Sequence, residues 1–477
     1  LAAGLVLAGC ATNPVTGRAD FVLMTEAQEL SLGREAAADL ATVYRRYPKE
    51  ELQRYVQAVG QRLAEVSHRP GLIYRFTVVD SPEVNAFALP GGYIYITRGL
   101  LAYLNGESEL AAILGHEIGH VTARHGVRQA SAAQAAQVGA TLGAIFFPVL
   151  RHQAVGSLVN VLGTALLRGY GREMELEADR LGAIYLDRVS KPPGALLDVL
   201  ALLEDHQRVE VARAEAEGRE AHTYHGVFST HPASYTRLRE ATRAGMELGI
   251  DLARREDMAS RRAFLERIEG LTFGESAAEG VLRDGRFLHQ DMGFAFTIPD
   301  GWRVDNRPDS VVMTAPGGAA VLQMGAVDLA ERMTPRDFML REMNLGRLNA
   351  EGDISSPGLP GHSAVARIQG EEMRVNVLFL DDRAFYFIGA VRDRARLGEL
   401  DSRFLETARS FRRLGEAERE DAEPLRLRLM VADQGTRIAD LAAASPLGPQ
   451  AEAQLRLLND LYPAGEPQPG QILKVVE

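Results

Sequence analysis

The chain has 477 residues, 53 Lys and Arg against 64 Asp and Glu for a net charge of −11, 46% hydrophobic residues and a single cysteine. At roughly 150 residues per domain this length predicts about three domains, and an apolar fraction near the globular mean excludes a disordered or fibrous chain. The acidic balance excludes the basic face that a nucleic-acid binder needs, and one cysteine excludes an internal disulfide framework and a cysteine-rich zinc ribbon.

Residues Leu1 to Gly9 are small and apolar and lead straight into Cys10. With no initiator Met and no basic stretch ahead, residues 1–10 read as the remnant of an export signal. Leu7-Ala8-Gly9-Cys10 resembles the bacterial lipobox, in which the cysteine is lipidated; the alternative is a chance cysteine behind an ordinary signal. The resemblance implies lipidation at Cys10, and Ala11 after it implies the outer membrane. The expected location is therefore that of an outer-membrane lipoprotein facing the periplasm of a Gram-negative envelope, where a large domain has no need of disulfides.

The pattern from 20 to 270 predicts a mostly helical domain with a small β-sheet. Thr25-Glu26-Ala27-Gln28 has the form of a capping box, and Pro48 opens a periodic stretch through about Ser67. Strand patterns cover Ile73 to Val79 and Tyr93 to Thr97, the latter preceded by Pro90-Gly91-Gly92, and one helix is expected from Glu107 to Arg128. Ala130 to Leu150 and Gln153 to Leu167 carry no charge, but their Ala, Ser and Gln content favours a helical hairpin packed on the protein, either a lid near the cleft or plain core, over a membrane span. From 285 to 414 the pattern becomes strand-rich, with strands at Phe294 to Ile298, Val311 to Thr314, Ala320 to Val327, Ala364 to Ile368, Arg374 to Leu380 and Phe385 to Val391, and helices at Pro335 to Asn349 and Leu397 to Arg412. The last segment, 424–477, reads strand, helix, helix, strand. The whole is α+β and multidomain.

The chemistry is concentrated in the helical domain. His116-Glu117-Ile118-Gly119-His120 matches H-E-x-x-H, and residues four apart on a helix lie within about 40° of each other, so both imidazoles project toward one ion. A third ligand decides between a metal site and a helix with two histidines. His125, about 140° round a continuous helix from His120, points off the metal face and reads as a surface residue or a support for a ligand. Glu175-Leu176-Glu177-Ala178-Asp179 is the better candidate: Glu175 and Asp179 share a face, as ligand and as the carboxylate that orients a ligating imidazole. An acidic helix start, favoured by the helix dipole, is the alternative. Glu177 is the neighbouring alternative, but it faces about 200° away from Glu175 and would not share the face of Asp179.

H-E-I-G-H with E-L-E-A-D resembles the gluzincin zinc metallopeptidase family that includes BepA, HtpX and the CAAX prenyl endopeptidases. Two further stretches match it: Asn85-Ala86-Phe87-Ala88-Leu89-Pro90-Gly91-Gly92, and Thr230-His231-Pro232 with Arg237 six residues past the histidine. The resemblance covers about residues 20 to 250. It implies a zincin fold and one Zn2+ per chain held by His116, His120 and Glu175, with Glu117 as general base on the attacking water. Asp179 and Arg237 would support the ligands. Asn85, Ala86, Phe87 and Ala88 would pair with an extended substrate by β-addition. His231 has two readings under this resemblance, stabilising the oxyanion or occupying the fourth zinc position and holding the enzyme latent; a helix-opening His-Pro is the third.

Outside this region the signals are thinner. The F-x-F-x-I-P-x-G-W entry of 285–414 resembles PsbP/Mog1-like folds and implies no chemistry. Residues 424–477 resemble a LysM module through Gly435-Thr436, Leu457-Leu458-Asn459 and Pro469-Gly470-Gln471-Ile472-Leu473, which implies peptidoglycan as a partner; the insertion around Pro446 to Gln450 departs from a short module. The expected function is that of a zinc endopeptidase acting on misfolded or misassembled periplasmic and outer-membrane proteins. Two alternatives are an envelope chaperone or assembly scaffold with a latent site, and a LysM-targeted cell-wall hydrolase.

Overall fold

The computed structural model describes residues 10–139, 170–216, 235–307, 310–354, 356, 358–393 and 396–477. A hairpin comes first, β1 (Cys10–Thr12) antiparallel to β2 (Ala19–Phe21) with Cys10 opposite Phe21. Thr25 then caps α1 (Glu26–Val43): its hydroxyl accepts from the Gln28 N–H while Gln28 Oε1 accepts from the Thr25 N–H at 2.8 Å, the reciprocal pair expected from the sequence. Helix α2 (Glu50–Glu65) buries Leu52, Val56, Val59 and Leu63 at helical spacing. Three strands follow, β3 (Arg75–Val79), β4 (Ala86–Leu89) and β5 (Tyr93–Thr97), in the order β3-β5-β4, with β3 parallel and β4 antiparallel to β5. The turn between β4 and β5 places Gly91 and Gly92 at φ +80° and +91°, which L side chains rarely adopt.

After the short α3 (Arg98–Tyr103), α4 (Glu107–Thr122) runs through the middle of the domain, buried at every position from Ser108 to Thr122. The sequence pattern predicts one helix to Arg128, but the helix stops at Ala123. Arg124 sits at φ +57° and a new helix, α5 (His125–Gly139), begins. A left-handed non-glycine residue costs about 1–2 kcal/mol, and the tertiary structure supplies the compensation. Arg124 Nε donates to Glu29 Oε2 at 2.8 Å and Arg69 Nη1 to Glu29 Oε1 at 2.7 Å, all three side chains buried. No local pattern carries that information. Most of the uncharged hairpin expected at 130–167 lies outside the described residues. Among the described residues no helix is long and apolar enough to cross a membrane.

Helices α6 (Arg172–Arg188) and α7 (Ala195–Ala216) pack against α4, and α8 (Tyr235–Glu247) packs against α6 and α7; α9 (Met258–Ile268) leads into a two-residue strand, β6 (Thr272–Phe273).

By internal contacts the chain divides into two units, Leu1–Phe273 with Arg426–Glu477, and Gly274–Leu425. The second unit holds β7 (Val281–Arg283), β8 (Arg286–His289), β9 (Phe294–Thr297), β10 (Arg303–Arg307), β11 (Ser310–Thr314), β12 (Ala320–Asp328), α10 (Pro335–Arg341), β13 (Leu348–Asp353), β14 (Gly361–Ile368), β15 (Glu371–Leu380), β16 (Arg383–Val391), α11 (Leu397–Ser410) and β17 (Arg412–Arg413). Seven of its strands form an antiparallel sheet, β10-β11-β12-β16-β15-β14-β13, and four form a second, β17-β9-β8-β7. Alternation along β15 sends Val375, Val377 and Phe379 to a core with Phe338 and Met339, and Leu378 and Leu380 to another with Phe294, Phe296, Phe387 and Phe404. The helix expected to reach Asn349 ends at Arg341. Leu348–Asp353 is instead an exposed edge strand, whose side chains give no apolar alternation to read.

The C-terminal segment runs strand, helix, helix, strand: β18 (Leu425–Val431), α12 (Ile438–Ala444), α13 (Ala451–Leu458) and β19 (Ile472–Val476). Its sheet is completed by a strand from before the second unit, in the order β19-β18-β6. Lys474, fully buried on β19, donates to the carbonyls of Ala102 and Leu104 at 2.8 Å each, and Tyr103 donates to Gln454. Residues 426–477, expected as a module of their own, thus share one unit with the helical region.

Candidate metal centre

Two helices carry the candidate ligands, and small residues at their crossing set the distance between them. Gly119 on α4 faces Ala178 on α6, and Gly115 faces Gly182. A Cβ on Gly119 would sit 3.0 Å from the Ala178 carbonyl oxygen, and one on Gly182 would sit 3.1 Å from the His116 backbone nitrogen. At this crossing the backbones touch, so the first turn of α6 overhangs the H-E-x-x-H turn of α4.

The result is convergence. His116 Nε2 and His120 Nε2 lie 3.0 Å apart, and Glu175 Oε2 and Oε1 lie 3.6 Å and 3.5 Å from them respectively. All three side chains are buried and their donor atoms lie within 4.8 Å of one another. Two imidazole nitrogens and one carboxylate oxygen are a donor set that zinc takes in three-ligand sites, so the residues present fit such an ion.

The surroundings orient these groups. Asp179 Oδ1 meets His116 Nδ1 at 2.9 Å, on the ring edge away from His120. Arg237 on α8 donates to the same carboxylate twice, Nε to Oδ2 at 2.8 Å and Nη2 to Oδ1 at 2.6 Å, and its Nη1 lies 3.1 Å from Glu175 Oε2. Burial by itself would raise the Asp179 carboxyl; the Arg237 charge and hydrogen bonds, with His116, outweigh it and hold Asp179 well below the usual carboxylate range. Glu117 is buried and lines, with His116, Asp179 and Arg237, a cavity of about 30 Å³ whose remaining walls are apolar side chains of α3, α4 and α7 and Ala86 of β4. Strand β4 is an edge of its sheet among the described residues, so the strand expected to receive substrate borders this cavity.

His120 is held differently from His116. The break at Arg124 turns His125 back toward the centre, fully buried, with its Nδ1 2.7 Å from His120 Nδ1. His125 Nε2 lies 3.1 Å from Glu177 Oε2, which also accepts from Arg128 at 3.0 Å. Burial lowers the His125 pKa, with Glu177 opposing. The Tyr170 ring stacks on His120 at 4.0 Å between centroids. Sequence reasoning on a continuous helix turned His125 off the metal face and left it a surface residue or a support for a ligand, with Glu177 as the neighbouring alternative to Glu175; the structure makes His125 a neighbour of His120 and Glu177 a neighbour of His125. Tyr170 carried no signal at all.

His231 lies outside the described residues, as do His152, His222, His225 and the lipobox positions before Cys10; Cys10 opens β1. Away from the centre, His68 bonds the Tyr185 hydroxyl at 2.7 Å and His362 bonds Asp353 at 2.8 Å, satisfied by their own neighbours.

Residues 50–244 match the model described as Peptidase family M48. They are a peptidase M48 domain. The chain is 32% identical over 197 residues to the beta-barrel assembly-enhancing protease of Escherichia coli strain K12, an alignment covering 40% of this chain and 38% of that one. It is 31% identical over 225 residues to the protein of the same name from Yersinia pestis, covering 45% and 43%. It is also 32% identical over 187 residues to the mitochondrial metalloendopeptidase OMA1 of Schizosaccharomyces pombe, covering 39% and 51%. The chain thus spans about two fifths to a half of the length of these relatives. Among solved structures, cyanobacterial PsbP from Synechocystis aligns with 29% of this chain and 98% of its own at 14% identity. Its TM-score is 0.23, too low to assign a fold. The M48 domain contains every residue of the centre described above, from His116 to Arg237.

Proposed function

We propose that the M48 domain is a zinc-dependent endopeptidase whose metal ligands are His116, His120 and Glu175. The observation that carries this reading is the convergence of those three buried donors beside Glu117, at the crossing of α4 and α6. Zinc bound there supplies Lewis acidity that makes water a competent nucleophile near neutral pH. Glu117, on the wall of the same cavity, takes the proton of the attacking water and delivers it to the leaving amine. Asp179, fixed by Arg237, holds the His116 ring by Nδ1, which leaves Nε2 on the side of His120 and Glu175, where it would ligate a bound ion. An extended substrate adds to the edge of β4 that no strand among the described residues pairs with, which reads backbone more than side chain.

The names of the bacterial relatives support an envelope setting, with misfolded or misassembled periplasmic and outer-membrane proteins as substrates. The lipobox resemblance at Cys10 supports an outer-membrane anchor. The PsbP/Mog1 resemblance of 285–414 bears on fold alone, and the LysM resemblance of 424–477 makes peptidoglycan a proposed partner.

The test is metal analysis with casein cleavage, wild type beside Glu117→Gln. One equivalent of zinc in both, with cleavage reduced about 100-fold or more in the variant, is the expected result. Stoichiometric zinc with no cleavage of any unfolded substrate would favour a scaffold or chaperone with a latent site.

A further inference from the structure

We infer that His125 and Glu177 form a two-residue relay that fixes the ring tautomer of His120. The inference rests on the zinc-peptidase reading above. It adds two positioning residues, His125 outside both motifs and Glu177 at a variable position of the second.

A neutral imidazole has one N–H and one lone pair, and a histidine that ligates through Nε2 must carry its proton on Nδ1. That proton needs an acceptor, and for a ligating histidine the acceptor is ordinarily a carboxylate, a backbone carbonyl or a water. His116 has a carboxylate, Asp179, at 2.9 Å. His120 has another imidazole, His125 Nδ1, at 2.7 Å. An imidazole nitrogen accepts only if its own proton lies on the other nitrogen. Glu177 imposes that arrangement. Its Oε2 lies 3.1 Å from His125 Nε2, and a carboxylate only accepts, so the His125 proton is drawn to Nε2. His125 Nδ1 is then a lone pair, the His120 proton sits on Nδ1, and His120 Nε2 is left as a lone pair directed at Glu175 and His116 Nε2. Each hydrogen bond in the series Glu177–His125–His120 has one donor and one acceptor, with both rings neutral.

The backbone supports the same assignment. On a continuous helix His125 would point away from His120. The left-handed residue at Arg124, held by Glu29, brings it back, and His125 is fully buried where it lands. Arg128 bonds the same Oε2 of Glu177 and keeps that oxygen in place.

The relay is separable from packing because its members have distinguishable replacements. Asn places an oxygen acceptor near the position of His Nδ1, whereas Leu fills a similar volume without one. In the full chain, zinc affinity is measured by competition with a chromogenic chelator, together with the d–d absorption spectrum of the cobalt-loaded protein and the apo-protein melting temperature. His125→Leu is expected to bind zinc about 10- to 100-fold more weakly than wild type and to alter the cobalt spectrum, and His125→Asn to recover most of both. Glu177→Ala leaves Arg128, which only donates, beside His125 Nε2 and is expected to weaken binding. Glu177→Gln keeps an acceptor oxygen and is expected to stay within a few-fold of wild type. Equal zinc affinity in His125→Leu and wild type overturns the relay alone. So does an equal loss in His125→Leu and His125→Asn matched by an equal fall in melting temperature. A wild-type protein that binds no zinc overturns the metal reading, and the relay with it.

Discussion

Arg237 grips Asp179 with two parallel hydrogen bonds of 2.8 Å and 2.6 Å, and neither side chain reaches solvent. A buried pair of this kind is worth little against an apolar substitute but is expensive to break from one side, about 3–5 kcal/mol when a single partner is removed. Arg237→Met therefore should lower urea stability by about that amount, because Asp179 and Glu175 are left as facing buried carboxylates. The double variant Arg237→Met with Asp179→Asn should be more stable than Arg237→Met alone. A single variant within experimental error of wild type in a urea titration would show that the pair is solvated.

The α4–α6 crossing has no room to expand. Gly119→Val would place methyl groups where the Cβ alone already sits 3.0 Å from the Ala178 carbonyl. A cost of about 1–3 kcal/mol in folding stability is expected, with a loss of zinc affinity as Glu175 is pushed from the two imidazoles. Urea unfolding read beside a zinc titration checks it; unchanged zinc affinity would mean that the ligand distance is not set at this contact.

The cavity beside Glu117 predicts side-chain preference next to the scissile bond. At about 30 Å³ it has room for about two water-sized groups. Its walls include Leu100, Ile113, Leu196, Val199, Leu200 and Leu203. Short aliphatic side chains should be preferred there over aromatic or charged ones. Leu200→Ala should shift kcat/KM toward Phe over Val by about tenfold, within the range that one hydrophobic pocket can supply. A peptide series varied at the two positions flanking the bond measures this, and an unaltered ratio in the variant would place the specificity elsewhere.

In the second unit, Glu418 accepts from Arg412 and Arg286 and from the Gly415 N–H, and its pKa falls from 4.5 to about 2, with the Arg412 hydrogen bond the main cause. A depressed carboxylate contributes stability above its unfolded pKa, and that contribution fades as pH falls from about 4.5 toward 2. Glu418→Gln should therefore cost up to about 1 kcal/mol near pH 7, discounted for partial solvent exposure, and progressively less below pH 4.5. Urea midpoints of both proteins at pH 7, 4.5 and 3 test the sign. A gap that widens on acidification would contradict it.

The parts of the centre that the sequence discloses are those fixed by local geometry. His116 and His120 are four residues apart on one helix, as are Glu175 and Asp179. For His125 the sequence left the surface and the support of a ligand both open, because its position depends on Arg124 leaving the helical region, and that depends on Glu29 about a hundred residues earlier in the chain. The strand β13 was hidden for a related reason. An edge strand with exposed side chains on both faces has no period-two burial to display, and its pairing with β14 is decided by the sheet it joins. The alternating strands β12, β15 and β16 were legible because each buries at least one face.

The hydrogen bonds of Leu427 with Gly270 and Leu271 join segments on either side of the entire second unit. During synthesis, the H-E-x-x-H helix is made early, but β6 gains its strand partner β18 only once the second unit has been translated. Ala102 and Leu104 likewise wait for Lys474. Domains tend to fold as they are completed, N-terminal first. Here the order is reversed: the second unit can finish folding while the unit with the metal centre still lacks its last strands. A nascent chain would thus carry His116, His120 and Glu175 well before it carries the strands that complete the unit around them.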